Sequence, residues 1–273
     1  MRSCSGIILG LMLLAAMGVA DSARAQDAAK PDAAKDAAQG APQNPAPDAA
    51  PSCEVPAYLL ASDSPLPKVA GAVKDARSLN ILVVGSRSST IPMQEASAYP
   101  ARLQAFLKEK LPAVAVNVSV ELLAKKTAEE AATDLVKLME DKKATLVVWQ
   151  TGTVDAMRSV DPDDFRGAVD DGVAALQTAG ADVILMNLQY SPRTDSMVSA
   201  PPYLDNMRVV AQQHDVPLFD RFAIMQQWND SGEFDFFSAS HGLDLVKRVH
   251  DCLGRALSKF VIDAAHLDAA QQN

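Results

Sequence analysis

Three short stretches hold the side chains that could carry out chemistry. Gly85-Ser86-Arg87-Ser88-Ser89-Thr90 and Thr151-Gly152-Thr153-Val154-Asp155 each follow an apolar run. Ser238-Ala239-Ser240-His241-Gly242-Leu243-Asp244 precedes a long amphipathic segment. Serine, histidine and aspartate are the groups of acyl transfer. A hydroxyl attacks, an imidazole takes its proton, and a carboxylate orients the imidazole. In that chemistry Ser86 or Ser88 is the nucleophile, His241 the base and Asp244 its orienter. Arg87 sits inside the serine cluster and carries different chemistry. A guanidinium stays charged near neutral pH and cannot act as the nucleophile. Among hydroxyls and turn amides it suits a carboxylate, a phosphate or a sulfated sugar. Arg87 and Asp155 are therefore the candidate ligand-binding residues, while an ion pair from Arg87 to Asp155 or Asp244 would fill the same space.

These stretches must be positioned by the elements around them. Residues 78–85 (SLNILVVG) form a continuous apolar run, as a strand buried on both faces requires. Residues 113–123, 144–152, 181–190 and 216–222 read as four further strands, the last of them short, with Pro217 favouring an edge or a strand start. Helices are expected over 97–111, from the Thr127/Glu130 capping box to Lys142, from Asp161-Pro162 to Ala179, over 203–215, and from Leu243 to Ala265. In the last helix Leu245, Val249, Leu253, Leu257 and Phe260 share one face. Strands alternating with helices imply a three-layer α/β/α sandwich around a mainly parallel five-stranded sheet. Ligands then sit beyond the carboxyl ends of the strands, in loops 85–95, 123–127, 151–160, 190–202 and 237–244. Trp149, Trp228, Met157, Met186, Met207 and Met225 read as packing residues.

Order and spacing of the segments carry a further observation. Gly85-Ser86-Arg87, AYPARL at 98–103, Gly152-Thr153-Val154-Asp155, ADVILMNLQYSP at 181–192 and His241-Gly242-Leu243-Asp244 together resemble the blocks of the SGNH, or GDSL-type, hydrolases over residues 53–265. The resemblance implies a flavodoxin-like α/β/α fold, carboxylic-ester or acetyl hydrolysis, and no cofactor or metal. It also marks four departures. The family's nucleophilic serine falls on Arg87. Its oxyanion-hole asparagine falls on Val154. Its second-block glycine is missing, since no glycine stands between Gly85 and Gly152. Its closing D-G-L-H appears as His241-Gly242-Leu243-Asp244, with the base and its carboxylate exchanged. Losing one oxyanion donor costs roughly 2.7–4 kcal/mol. The leading expectation is therefore a catalytically degenerate member that holds a small molecule, glycan or envelope protein at the old active-site face. An active hydrolase using Ser86, Ser88 or Ser89, and a structural envelope protein, are the alternatives.

The rest of the chain bounds the setting. It has 273 residues and a formal charge of −9, with no basic run, which argues against nucleic acid and anionic membrane surfaces as partners. Residues 1–25 read as a cleavable signal peptide, with Arg2, an apolar run at 6–20 and an Ala-Arg-Ala cleavage site. No membrane span is expected after cleavage, and the periplasm or the outside is the expected location. Residues 26–52 are rich in Ala, Pro and Asp and read as a disordered linker; 53–266 are the domain and 267–273 a tail. Cys53 and Cys252 remain after cleavage, an even count that suggests one disulfide. Residues 161–171 lack the alternating oxygens of a calcium loop, and His214, His250 and His266 make no metal-binding spacing.

Overall fold

A computed structural model describes residues 52–237 and 242–267. The segments expected to be a signal peptide and, but for Ser52, a linker, the end of the expected tail, and residues 238–241 with His241 lie outside these residues. Five runs of apolar residues form β1 (Ser78–Gly85), β2 (Ala115–Leu122), β3 (Leu146–Gln150), β4 (Asp182–Met186) and β5 (Leu218–Phe219). They make one sheet in the order β2-β1-β3-β4-β5, with every neighbouring pair parallel. The order reverses between β1 and β3, the point in such a sheet where two loops diverge and a crevice opens.

The helices are α1 (Ala57–Leu60), α2 (Pro67–Gly71), α3 (Tyr99–Lys110), α4 (Ala128–Lys142), α5 (Thr153–Arg158), α6 (Pro162–Thr178), α7 (Pro192–Asp195), α8 (Pro201–Gln213), α9 (Arg221–Asp230) and α10 (Gly242–Ala264). The alternating faces of each strand supply two cores. Leu79, Ile81 and Val83 of β1 face a core shared with α3, α9 and α10, whereas Leu82 and Val84 face one shared with α4, α6 and α8. Both tryptophans and Met186, Met207 and Met225 are buried as expected, but Met157 on α5 is 64% exposed and is not a core residue.

Local chemistry sets the ends of the elements. The Thr127 side chain accepts from the Glu130 amide while Glu130 accepts from the Thr127 amide, so the capping box opens α4 as read from the sequence. Asp161 caps α6, with Pro162 in its first turn. The fifth strand departs from expectation. It ends after two residues because Asp220 accepts from the Ala223 amide at 3.0 Å and starts α9 at Arg221. A side-chain oxygen that satisfies a free helix amide competes with continuation of the ladder.

Cys53 and Cys252 are joined, which ties the start of the domain to α10. The same end is held by the Trp228 indole N–H donating to the Glu54 carbonyl at 2.9 Å. The bridge closes a loop of 199 residues, and cross-linking so long a loop restricts the unfolded chain. Cys53→Ser is expected to lower the unfolding free energy by about 3–5 kcal/mol. The urea midpoints of oxidised wild type and variant measure it, and equal midpoints would refute a stabilising bridge.

Candidate ligand site at the carboxyl ends of the strands

The first loop begins where β1 must turn sharply. Residues Arg87–Ser89 form one 3-10 turn, closed by the Ser89 amide donating to the Ser86 carbonyl at 2.9 Å. Gly85 permits the turn, because a Cβ there would lie 2.1 Å from the Ser89 hydroxyl oxygen. The turn folds Ser89 inward, leaves Ser86 and Ser88 half-buried, and turns Arg87 out to solvent.

Under the turn lies a polar cluster that the sequence did not announce. Its centre is Arg221, the first residue of α9, only 1% exposed. One terminal nitrogen donates to Gln150 Oε1 at 2.9 Å and Ser88 Oγ at 3.2 Å. The other donates to Gln189 Oε1 at 2.8 Å and the Ser88 carbonyl at 3.3 Å. The guanidinium also lies 5.7 Å from the centre of the Tyr99 ring. Burial pulls its pKa down to about 10, which still leaves it charged at neutral pH. Every hydrogen-bond acceptor around it is neutral.

Gln150, the last residue of β3, links the parts. Its Oε1 accepts from Arg221, from Ser89 Oγ at 2.7 Å and from the Tyr99 hydroxyl at 3.2 Å. Its Nε2 therefore faces the turn, donating to Ser88 Oγ at 2.8 Å and to Ser86 Oγ at 3.3 Å. Such an amide orientation follows from the donors around its oxygen. Sequence reasoning missed Arg221, Gln150, Gln189 and Tyr99. Only Arg221 left a trace, in the Asp220 cap just before it.

The residues expected from sequence are placed unevenly. Ser86, Arg87 and Ser88 stand together. Val154 is half-buried on α5 and offers no side-chain donor. Asp155 is buried and is not turned to Arg87: its Oδ1 accepts from the Ala128 amide at 2.8 Å and so caps α4 from outside. Burial pushes its carboxyl above the usual range, opposed by that amide bond. Asp244 is exposed on the first turn of α10. The loop that lacks the family glycine bends through Lys125 with φ +67°, a conformation that favours glycine. Between this loop and Gly152, a cavity of about 20 Å³ is lined by Ser86, Lys126, Thr153 and Asp155. Its enclosed part has room for one water-sized group. Thr153 Oγ1 and Asp155 Oδ2 have no hydrogen-bond partner there. Among the described residues no group of three His, Cys, Asp or Glu side chains could hold a metal ion.

His250 on α10 is the buried histidine closest to this cluster in the hydrogen-bond network. Its Nδ1 accepts from the Tyr99 amide at 2.9 Å, so that nitrogen is no free base. Burial, then the charge of Arg221, pulls its pKa from 6.5 to about 3. The folded protein keeps His250 neutral while the unfolded chain protonates it below about pH 6.5. Its contribution to stability is thus intact above that pH and is lost as pH falls toward 3. From pH 7 to pH 5 the loss is about 2 kcal/mol. Denaturant midpoints at the two pH values should show it in wild type and not in His250→Gln; equal pH slopes in both proteins would contradict it.

The Non-GDSL lipase-like family model matches residues 52–267. No curated protein matches the chain by sequence. Similar solved structures include a two-domain esterase, CEX, active on acetylated mannans, with a TM-score of 0.62, 13% identity and coverage of 78% of this chain and 57% of that one. A mutant of Axe2, an acetyl-xylooligosaccharide esterase from Geobacillus, has a TM-score of 0.55, 16% identity, and coverage of 67% and 94%. The esterase EstA from Pseudoalteromonas sp. has a TM-score of 0.52, 17% identity, and coverage of 71% and 99%. At these identities the likeness is one of fold.

Proposed function

We propose that this chain, which belongs to the Non-GDSL lipase-like family, is an exported, catalytically degenerate relative of ester hydrolases that uses the old active-site face to hold a ligand. One observation carries the reading. Both half-buried serines beside Arg87 accept N–H bonds, and on Ser88 they take both lone pairs. Ser88 Oγ takes one from Gln150 and one from Arg221, and Ser86 Oγ takes one from Gln150. A hydroxyl whose lone pairs are filled is a donor, whereas a nucleophile needs a lone pair for the carbonyl carbon and a base for its proton. The position the family uses for attack holds Arg87, which is exposed. Val154 removes an oxyanion donor that would be worth roughly 2.7–4 kcal/mol.

Export is supported by the Cys53–Cys252 bridge, since disulfides persist in oxidising compartments. Among the described residues no helix is long and apolar enough to cross a membrane. The ligand belongs to the class of small molecules or glycans that reach such a compartment. An envelope protein that docks on the same face would make the same demands of these residues.

Disulfide-bonded protein treated with a fluorophosphonate should show no mass increase and should not turn over a short p-nitrophenyl ester above the buffer rate. An adduct on Ser86, Ser88 or Ser89 that disappears in His241→Ala would establish a rebuilt catalytic site and end this reading.

A further inference from the structure

We propose that Ser86, Arg87 and Ser88 form a binding site for an oxyanion, a carboxylate or phosphate group, with the buried Arg221 as its charged floor. The inference rests on the non-catalytic reading and names the ligand chemistry of that face.

Charge balance is the first argument. Arg221 is 1% exposed, and all four of its hydrogen-bond acceptors are uncharged: Ser88 Oγ, the Ser88 carbonyl, Gln150 Oε1 and Gln189 Oε1. Its Nε has no partner. Among the described residues no carboxylate forms an ion pair with it. The neighbouring Asp220 is already committed, accepting from Asn187, from the Ala223 amide and from Arg208. Segment 238–241 is Ser-Ala-Ser-His and holds no carboxylate. A buried cation without a counter-ion is costly, and an anion that arrives from outside removes part of that cost.

Hydrogen-bond arithmetic is the second. Three donors converge on Gln150 Oε1, which fixes both hydrogens of Nε2 toward Ser86 and Ser88. Ser88 Oγ receives a second donor from Arg221. Both lone pairs of Ser88 Oγ are then taken, so the Ser88 hydroxyl can only donate. The two serine oxygens stand 3.4 Å apart. At most one of their hydroxyl hydrogens can be spent between them, and the surplus needs an acceptor from outside. Both serines are half-buried, so an acceptor can reach them. Arg87 lies between them in the chain, and its exposed side chain makes no hydrogen bond or ion pair with the described residues. The serine hydroxyls, an exposed guanidinium and a fixed cation beneath them match the two or three charged oxygens of a carboxylate or phosphate. A neutral sugar hydroxyl would satisfy one donor and leave the charge unanswered.

Calorimetric titration of the disulfide-bonded protein with sodium acetate and, separately, with inorganic phosphate tests this, against sodium chloride at matched ionic strength. Saturable binding of at least one oxyanion, absent with chloride, is expected; which of the two binds tells a carboxylate site from a phosphate site. Ser88→Ala and Arg87→Gln should each weaken binding about tenfold or more. Arg221→Gln should abolish it, and if that variant does not fold, the other two still decide. No binding above the chloride control overturns the oxyanion site but leaves the non-catalytic reading intact. Binding that Ser88→Ala and Arg87→Gln leave unchanged overturns it too, because the ion then sits elsewhere. A fluorophosphonate adduct on Ser88 would remove both.

Discussion

A positive charge buried where three strand ends converge organises this site. Arg221 leaves β5 and reaches under the turn after β1, where it meets Gln150 from the end of β3 and Gln189 just past β4. The cost of desolvating a guanidinium runs to several kcal/mol when it is not compensated. Here the compensation comes from neutral oxygens and the face of Tyr99, each set in place by a different element. Gln150 cannot turn its amide without placing N–H groups against Arg221. Ser88 cannot recover its lone pairs while Gln150 keeps that orientation and Arg221 stays in place, and one lone pair of Ser86 is taken as well. One charge thereby fixes the polarity of the whole turn.

The same constraint reaches into the packing. Tyr99 opens α3, and its amide donates to His250 of α10, so the two helices on that face are joined through the residue that stacks near Arg221. Gly85 is needed because Ser89 is drawn down to Gln150. On the other face Asp155, which the family pattern would place near catalysis, is spent on the first amide of α4. The fold is shared with the ester hydrolases the chain resembles, and in the proposed reading the polar groups around Arg221 are committed to one another and favour donation of hydrogen bonds over attack.

Much of the frame could be read in the sequence. Apolar runs placed all five strands, and the Thr127/Glu130 and Asp161/Pro162 signals placed the starts of α4 and α6, because these depend on contacts within a few residues. The stretches at 85–90 and 152–155 lie at the carboxyl ends of β1 and β3, as the alternation of strands and helices implied. What could not be read was the cluster beneath them. Gln150, Gln189 and Tyr99 are neutral residues at ordinary positions, and only the order β2-β1-β3-β4-β5 brings them together. Arg221 fell inside a segment that reads as a strand through residue 222, since Leu218 and Phe219 are followed by another aromatic, Phe222. The Asp220 cap, with Ile224, Met225 and Trp228 at helical spacing, was the available signal for α9.

A neutron crystal structure of the deuterated protein tests the central claim most directly, because the claim concerns where hydrogens lie. The account predicts both deuterons of Gln150 Nε2 on the serine side, one toward Ser86 Oγ and one toward Ser88 Oγ. It also predicts a charged Arg221 with no carboxylate beside it, and a serine hydroxyl deuteron directed out of the cluster. A Ser86 or Ser88 hydroxyl deuteron pointing at a ring nitrogen of His241, with Gln150 turned the other way, would contradict it and describe a working nucleophile instead.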